Sequence, residues 1–144
     1  MALLHTVVLA LHVLFAAAWF GLGLALPALS RSVLAGADPE AGRKVITAMN
    51  GSAVLFYVFA VANWTLGMQL GFEAQYNAWP YHTALTLGLV IVAVQLFLIR
   101  PGWNTLATNP EAGRKRIAMG TGIGHATWMA LFVLMYVGRG VIGG

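Results

Sequence analysis

The sequence contains no cysteine, and only 8% of its 144 residues are charged. The absence of cysteine excludes disulfide frameworks, thiolate metal sites, iron–sulfur clusters and thiol nucleophiles. Because soluble domains carry about a quarter charged residues, the shortage of charge excludes an ordinary water-soluble domain. The net charge of +4 reflects a scarcity of acidic residues, without the basic stripe that binds nucleic acid. What is present is a chain that is 60% hydrophobic with a mean hydropathy of +0.80, which indicates an integral membrane protein.

Four long uncharged segments predict four membrane-spanning helices. They cover residues 2–29, 45–72, 74–99 and 117–138. Each is long enough to cross a hydrocarbon core of about 30 Å, for which roughly 20 helical residues suffice. Backbone groups in lipid must be hydrogen bonded within the segment, which favours helices. We therefore predict an all-α integral membrane protein, with one membrane domain over residues 1–144 that folds as a four-helix bundle.

The basic residues predict the orientation of the bundle. Seven of the eight lie between spans one and two or between spans three and four, and only Arg139 lies on the other side. By the positive-inside rule these two loops face the cytoplasm and both termini face outward. Tyr76, Trp79 and Tyr81, at the outer end of the third span, are typical of an aromatic belt at the membrane surface. We expect a bacterial cytoplasmic membrane as the location.

A repeated hexapeptide divides the chain into two similar halves. Residues 39–44, Pro-Glu-Ala-Gly-Arg-Lys, recur identically at residues 110–115. Six consecutive identities predict a duplicated two-helix unit, with repeat one over residues 1–72 and repeat two over residues 73–144. An even number of spans per unit makes the repeats parallel, related by a pseudo-two-fold axis along the membrane normal. Each hexapeptide also has the composition of a helix start, with a capping residue, a proline and a glutamate.

Polar side chains within the spans are costly and therefore point to function. Counting from the inner cations at 1.5 Å per residue places His12 and His82 about 27–29 Å above them, in the outer leaflet. The repeat makes these histidines pseudo-symmetric, and a sequential bundle sets their helices diagonally across the core. Two neutral imidazoles at one depth are what a six-coordinate haem iron needs, so both are predicted to bind haem b. Asn63 and Tyr136 would share this layer with Arg139 just above it, and Arg139 together with Asn63 or Tyr136 would contact the propionates.

Other polar and sulfur-containing residues are open to two interpretations. His125 lies near the midplane in a glycine-rich setting, and it is either a further cofactor ligand or a helix-packing residue. His5 is expected at the membrane surface. Any of these histidines could instead hydrogen bond a neighbouring helix. Met129 and Met135 are expected to be packing residues.

The first span resembles a known family. Residues 12–21, His-Val-Leu-Phe-Ala-Ala-Ala-Trp-Phe-Gly, with Pro27 following, resemble the opening helix of copper-resistance-D-like proteins and of the related HemJ-type (protoporphyrinogen oxidase) proteins. Residues 64–67 resemble the end of their second helix, and residues 79–82 the start of their third. The resemblance implies a haem or copper ligand at His12. HemJ-type proteins have a lysine early in helix three, where this chain has threonine and alanine, so porphyrinogen oxidation is not implied.

Three hypotheses follow for function. The first is a small b-type cytochrome that holds haem near the outer leaflet through His12 and His82, and transfers electrons alone or within a larger complex. The second is a copper-binding or copper-transporting protein that uses the same histidines. The third is a cofactor-free structural subunit. The expected partners are the lipid bilayer and either other membrane subunits or a second copy of the chain. No catalytic base, nucleophile or phosphate loop is visible, so an enzyme assignment would depend on analogy alone.

Overall fold

The computed structural model describes the backbone of residues 1–142 and the side chains of residues 1–137. The described chain is helical and contains no strand. Its elements are α1 (Ala2–Leu34), α2 (Glu40–Gln69), α3 (Glu73–Tyr76), α4 (Trp79–Val94), a π-helical segment (Gln95–Ile99), α5 (Arg100–Thr105) and α6 (Pro110–Ile142). Within the described residues, four helices are long and apolar enough to cross a membrane: Ala2–Leu34, Glu40–Gln69, Trp79–Thr105 and Pro110–Val137. The predictions of an all-α chain and of four candidate membrane spans are confirmed.

The four long helices form a ring in chain order. α1 packs along α2, and α4 packs against both α2 and α6. The ring is closed by a less extensive contact between α1 and α6, so α1 and α4 lie diagonally, as predicted. The short helix α3 lies at the end of the bundle where the N-terminus begins, and α5 lies at the opposite end. We call these the α3 end and the α5 end.

Both copies of the hexapeptide lie at helix starts, because the residue before each one satisfies a free helical amide. α2 begins at Glu40, whose N–H donates to Oδ1 of Asp38 at 2.9 Å. α6 begins at Pro110, and Oδ1 of Asn109 accepts a hydrogen bond from the N–H of Ala112 at 3.1 Å. The first amides of a helix have no partner within it, so these two side chains cap the helices.

The two glycines of the hexapeptides have a packing role that the sequence did not reveal. A Cβ at Gly42 would collide with the indole ring of Trp103, and one at Gly113 would lie 2.7 Å from the Cα of Leu106. Both contacted residues belong to α5 or directly follow it. The starts of α2 and α6 therefore enclose the same short segment.

The third span is displaced along the chain from the predicted residues 74–99, since it begins at Trp79 and continues through Arg100 to Thr105. Its later end is explained by the π-helical segment, which ends two residues before Pro101. A proline within an α-helix lacks the N–H donor and clashes with the carbonyl four residues earlier. Here the N–H of Arg100 donates to the carbonyl of Gln95, five residues back, and this wider turn lets the helix continue past the proline.

A chain of buried side-chain hydrogen bonds joins three of the spans beside the π-helical segment. Gln95 is fully buried, and its Oε1 accepts from Nε1 of Trp19 at 3.0 Å. Its Nε2 donates to Oδ1 of Asn50 at 2.8 Å. Neither of these two hydrogen bonds was predicted from the sequence.

Candidate ligand-binding cleft

A cleft of about 600 Å³ opens between α1 and α6 in the half of the bundle nearest the α3 end. Its volume lies within the range of about 300–1,000 Å³ that is usual for small-molecule sites. Phe132 and Tyr136 on its wall are exposed, so the mouth of the cleft is on the surface of the bundle. The lining residues are His5, Leu9, His12, Val13, Ala16, Ala17, Phe56, Asn63, Phe72, Gln75, Tyr76, Tyr81, Trp128, Leu131, Phe132, Met135 and Tyr136.

We call the line of contact between α1 and α6 the α1–α6 seam. This seam is closed in the half of the bundle nearest the α5 end, because small residues let the two helices approach closely there. A Cβ at Gly124 would lie 2.5 Å from the Trp19 ring, and one at Gly23 would lie 2.6 Å from Nε2 of His125. About one helical turn nearer the α3 end, Nε1 of Trp128 donates to the carbonyl of Ala16 at 3.1 Å. This hydrogen bond closes the cleft on the side that faces the α5 end.

His12 presents one ring nitrogen to the cleft. Its Nδ1–H donates to the carbonyl of Phe56 at 3.1 Å, since a carbonyl can only accept. The imidazole also stacks on the Phe56 ring, with centroids 5.0 Å apart and an interplanar angle of 24°. These contacts fix both the ring and its tautomer, and they leave the lone pair of Nε2 without a hydrogen-bond partner among the described residues. A neutral imidazole held in this way is the usual form of a histidine that ligates a metal.

A polar cluster forms the α3 end of the cleft. The Tyr76 hydroxyl is hydrogen bonded to Nε2 of His5 at 2.9 Å and accepts from Nδ2 of Asn63 at 3.4 Å. Nε2 of Gln75 donates to the Tyr81 hydroxyl at 2.9 Å. Tyr76 is only 5% exposed, so its side chain packs within the bundle and does not face outward as a residue of an aromatic belt would. Gly67 of α2 leaves room for the Tyr76 ring, so this burial depends on packing between α2 and α3.

Asn63 is left with an unsatisfied group at the cleft. The residue is buried, and its Oδ1 has no hydrogen-bond partner within the described chain. Buried polar groups are nearly always paired, so an unpaired acceptor at a cavity wall needs an explanation. A bound molecule with a polar edge would supply the missing partner.

The structure brings some of the predicted site residues together and separates others. His12, Asn63 and Tyr136 line the cleft. His82 lines neither this cleft nor the small interior cavity beside His12; it is exposed, and its Nε2–H donates to Oδ1 of Asn77 at 3.1 Å. His125 lies nearer the α5 end, with its ring 4.7 Å from that of Phe20 and its Nε2 buried without a partner. Arg139 lies outside the residues whose side chains are described.

The large space beside His12 lies between the neighbouring helices α1 and α6. It does not lie between the diagonal helices α1 and α4, where the haem was predicted. The interior cavity that His12 lines is about 30 Å³, which holds a water-sized molecule and no macrocycle. Of these two spaces, the cleft is the one with room for a group as large as haem. Among the residues of this site that sequence reasoning did not assign to it are four polar residues and one methionine. They are His5, Gln75, Tyr76, Tyr81 and Met135.

The described residues contain no group of three or more His, Cys, Asp or Glu side chains that could hold a metal ion. Comparisons of the chain with protein-family models, with curated proteins and with solved structures find no match. The resemblance of the first span to copper-resistance-D-like proteins stays a prediction. The geometry of the cleft is therefore the basis for assigning a function.

Proposed function

We propose that the protein is a small b-type cytochrome-like membrane protein that holds haem b in the cleft through Nε2 of His12. The observation that supports this most directly is the state of that nitrogen. The Phe56 carbonyl fixes the His12 tautomer, and Nε2 is left as an unpartnered acceptor on the wall of a cleft of about 600 Å³. A haem iron needs such a donor, and a bound haem would supply one-electron redox chemistry.

The walls of the cleft fit an amphipathic, flat molecule of this kind. Phe56, Trp128 and Phe132 provide apolar and aromatic surface, while the polar groups gather at the α3 end. There, the side chains of Tyr81 and Gln75 could hydrogen bond carboxylate groups such as propionates. In this arrangement the chain holds and orients the cofactor, and its aromatic walls exclude water from the ring.

The absorption spectrum tests the proposal. Protein purified from haem-replete cells should show a Soret band at stoichiometric haem content. His12→Ala should remove most of this absorption, because it removes the ligand. His82→Ala should retain it, because the His82 ring is exposed and hydrogen bonded elsewhere. His125→Leu should also retain it, because His125 lies outside the cleft.

Each contrary result has a definite meaning. A His82→Ala variant that loses haem would restore the predicted pairing of His12 with His82 and overturn the site proposed here. Loss of haem only in His125→Leu would place the cofactor nearer the α5 end. Colourless wild-type protein that retains stoichiometric copper after dialysis would favour the copper hypothesis. Colourless protein that binds no metal and accumulates only with a partner would favour a structural subunit.

We also propose that the chain consists of two parallel two-helix repeats with both termini outside a bacterial cytoplasmic membrane. The identical hexapeptides support the repeats, since each begins a long helix and contacts the same α5 segment through its glycine. The basic residues support the orientation, since they concentrate at the α5 end. The cleft then lies in the outer leaflet. Electrons would pass to another membrane subunit or to a second copy of the chain.

A further inference from the structure

We propose that, with haem in the cleft, the thioether of Met135 would bind the iron together with Nε2 of His12. This inference rests on the proposed haem site in the cleft. Met135 lines the cleft together with His12, and the two residues also line the adjoining interior cavity. Histidine and methionine together are a known ligand pair for haem iron.

The antiparallel register of α1 and α6 places the two residues near one level. His125 lies against Phe20 and Gly23, and Trp128 donates to the carbonyl of Ala16. Continuing this register sets residues 132–133 of α6 level with residue 12 of α1. The Cα of Met135 is then two or three residues nearer the α3 end, a rise of about 3–5 Å at 1.5 Å per residue.

The directions of the side chains close this gap. In an α-helix the Cα–Cβ bond tilts toward the N-terminus, so a long side chain covers the turn before its own Cα. α6 runs toward the α3 end, and the Met135 thioether therefore extends back toward the level of His12. α1 runs the opposite way, so the His12 ring extends toward the α3 end. The two side chains converge across the cleft.

No other α6 residue offers a comparable donor within the described cleft. The α6 residues on its wall are Trp128, Leu131, Phe132, Met135 and Tyr136. Only Met135 and Tyr136 have a side-chain atom that commonly ligates haem iron. Tyr136 is 77% exposed at the mouth, whereas Met135 is half-buried and packs against the core.

The proposed repeat supports the same pairing independently. In the offset that superposes the two hexapeptides, Trp64 of α2 occupies the position of Met135 in α6. His82 aligns with His12 at an offset of 70, one residue shorter than the offset of the hexapeptides, so the pair equivalent to His12 and Met135 is His82 and Trp64. Those two rings are in edge-to-face contact, with centroids 6.3 Å apart. In the proposed repeat, the equivalent positions are thus neighbours in the other seam.

The test is the coordination state of the haem in purified Met135→Leu protein. Leucine keeps the apolar volume and removes the sulfur, so haem should be retained while the ferric iron changes from six-coordinate low-spin to five-coordinate high-spin. The charge-transfer band of ferric thioether ligation should disappear from the near-infrared spectrum, and the reduction potential should fall. Met129→Leu is the matched control, since Met129 is on the same helix, 51% exposed and outside the cleft.

A second variant distinguishes the loss of a ligand from a change in folding. Met135→His should keep the iron six-coordinate and low-spin, without the thioether band, because it exchanges one axial donor for another. Haem that binds to wild-type protein and shows unchanged ligation in Met135→Leu would overturn the Met135 proposal and leave the His12 site standing. Wild-type protein that binds no haem would overturn the proposed function itself.

Discussion

The hydrogen bonds of Gln95 predict a large stability loss in Gln95→Met. Methionine has nearly the same length and shape, so the substitution removes the two hydrogen bonds without creating a sizeable cavity. Gln95 accepts from Trp19 and donates to Asn50, and it is fully buried. The variant should therefore report on the polar interactions and little else.

The expected magnitude follows from what the two partners lose. Two intramolecular hydrogen bonds contribute about 1–3 kcal/mol together. In membrane proteins the average is nearer 0.6 kcal/mol per bond, because alternative partners exist. Trp19 has few alternative hydrogen-bond acceptors, because it is only 1% exposed. Its Nε1–H would therefore be left unpaired. We therefore expect Gln95→Met to lower the free energy of unfolding by about 2–3 kcal/mol, toward the upper end of these values.

The assay is reversible unfolding of the purified protein in mixed micelles titrated with a denaturing detergent, followed by circular dichroism. Gln69→Met, at the exposed end of α2, is the matched control and should change stability little. A double-mutant cycle with Trp19→Phe isolates the Trp19–Gln95 bond. If Gln95→Met costs no more than Gln69→Met, the reasoning about this hydrogen-bonded chain is refuted.

Two further predictions concern the repeats and the orientation. In the same unfolding assay Gly42→Ala should lose about 1–3 kcal/mol, because the added methyl group overpacks the site against Trp103. Gly51→Ala on the same helix meets open space and should gain up to about 1 kcal/mol from helix propensity, so equal effects would contradict the packing argument. A phosphatase reporter that is active only outside the cytoplasm should be active when fused after Gly144. An inactive phosphatase, with fluorescence from a cytoplasmic reporter at the same position, would reverse the proposed orientation.

The sequence predicted the fold well, because its strongest signals are local. Uncharged segments of 22 residues or more identify the spans, and the capping residues identify where α2 and α6 begin. The end of the third span was missed, because the prediction ended this span at a charged residue, Arg100. The π-helical segment, which lets the helix pass Pro101, has no comparable signal in sequence.

The candidate site was predicted only in part, because depth in the membrane can be counted from sequence and helix rotation cannot. Counting residues placed His12, Asn63 and Tyr136 in one layer, and all three line the cleft. Rotation decides which seam a side chain enters. Each helix in a four-membered ring touches two neighbours, and a single histidine does not reveal which one it faces. The burial of Tyr76 also depends on distant packing, against Gly67.

The two seams of the bundle differ, although the proposed repeat makes them equivalent. A pseudo-two-fold axis along the membrane normal, as the repeat implies, exchanges the α1–α6 seam with the α2–α4 seam. It relates His12 to His82 without requiring them to face each other, since each can turn toward its own seam. In the second seam the Trp64 indole contacts the His82 ring, with centroids 6.3 Å apart. In the first seam Met135 and the small residues Ala16 and Ala17 leave the cleft open. In the proposed repeat the Trp64 indole occupies the position of Met135, so Trp64→Ala should open space beside the His82 ring that the indole now contacts.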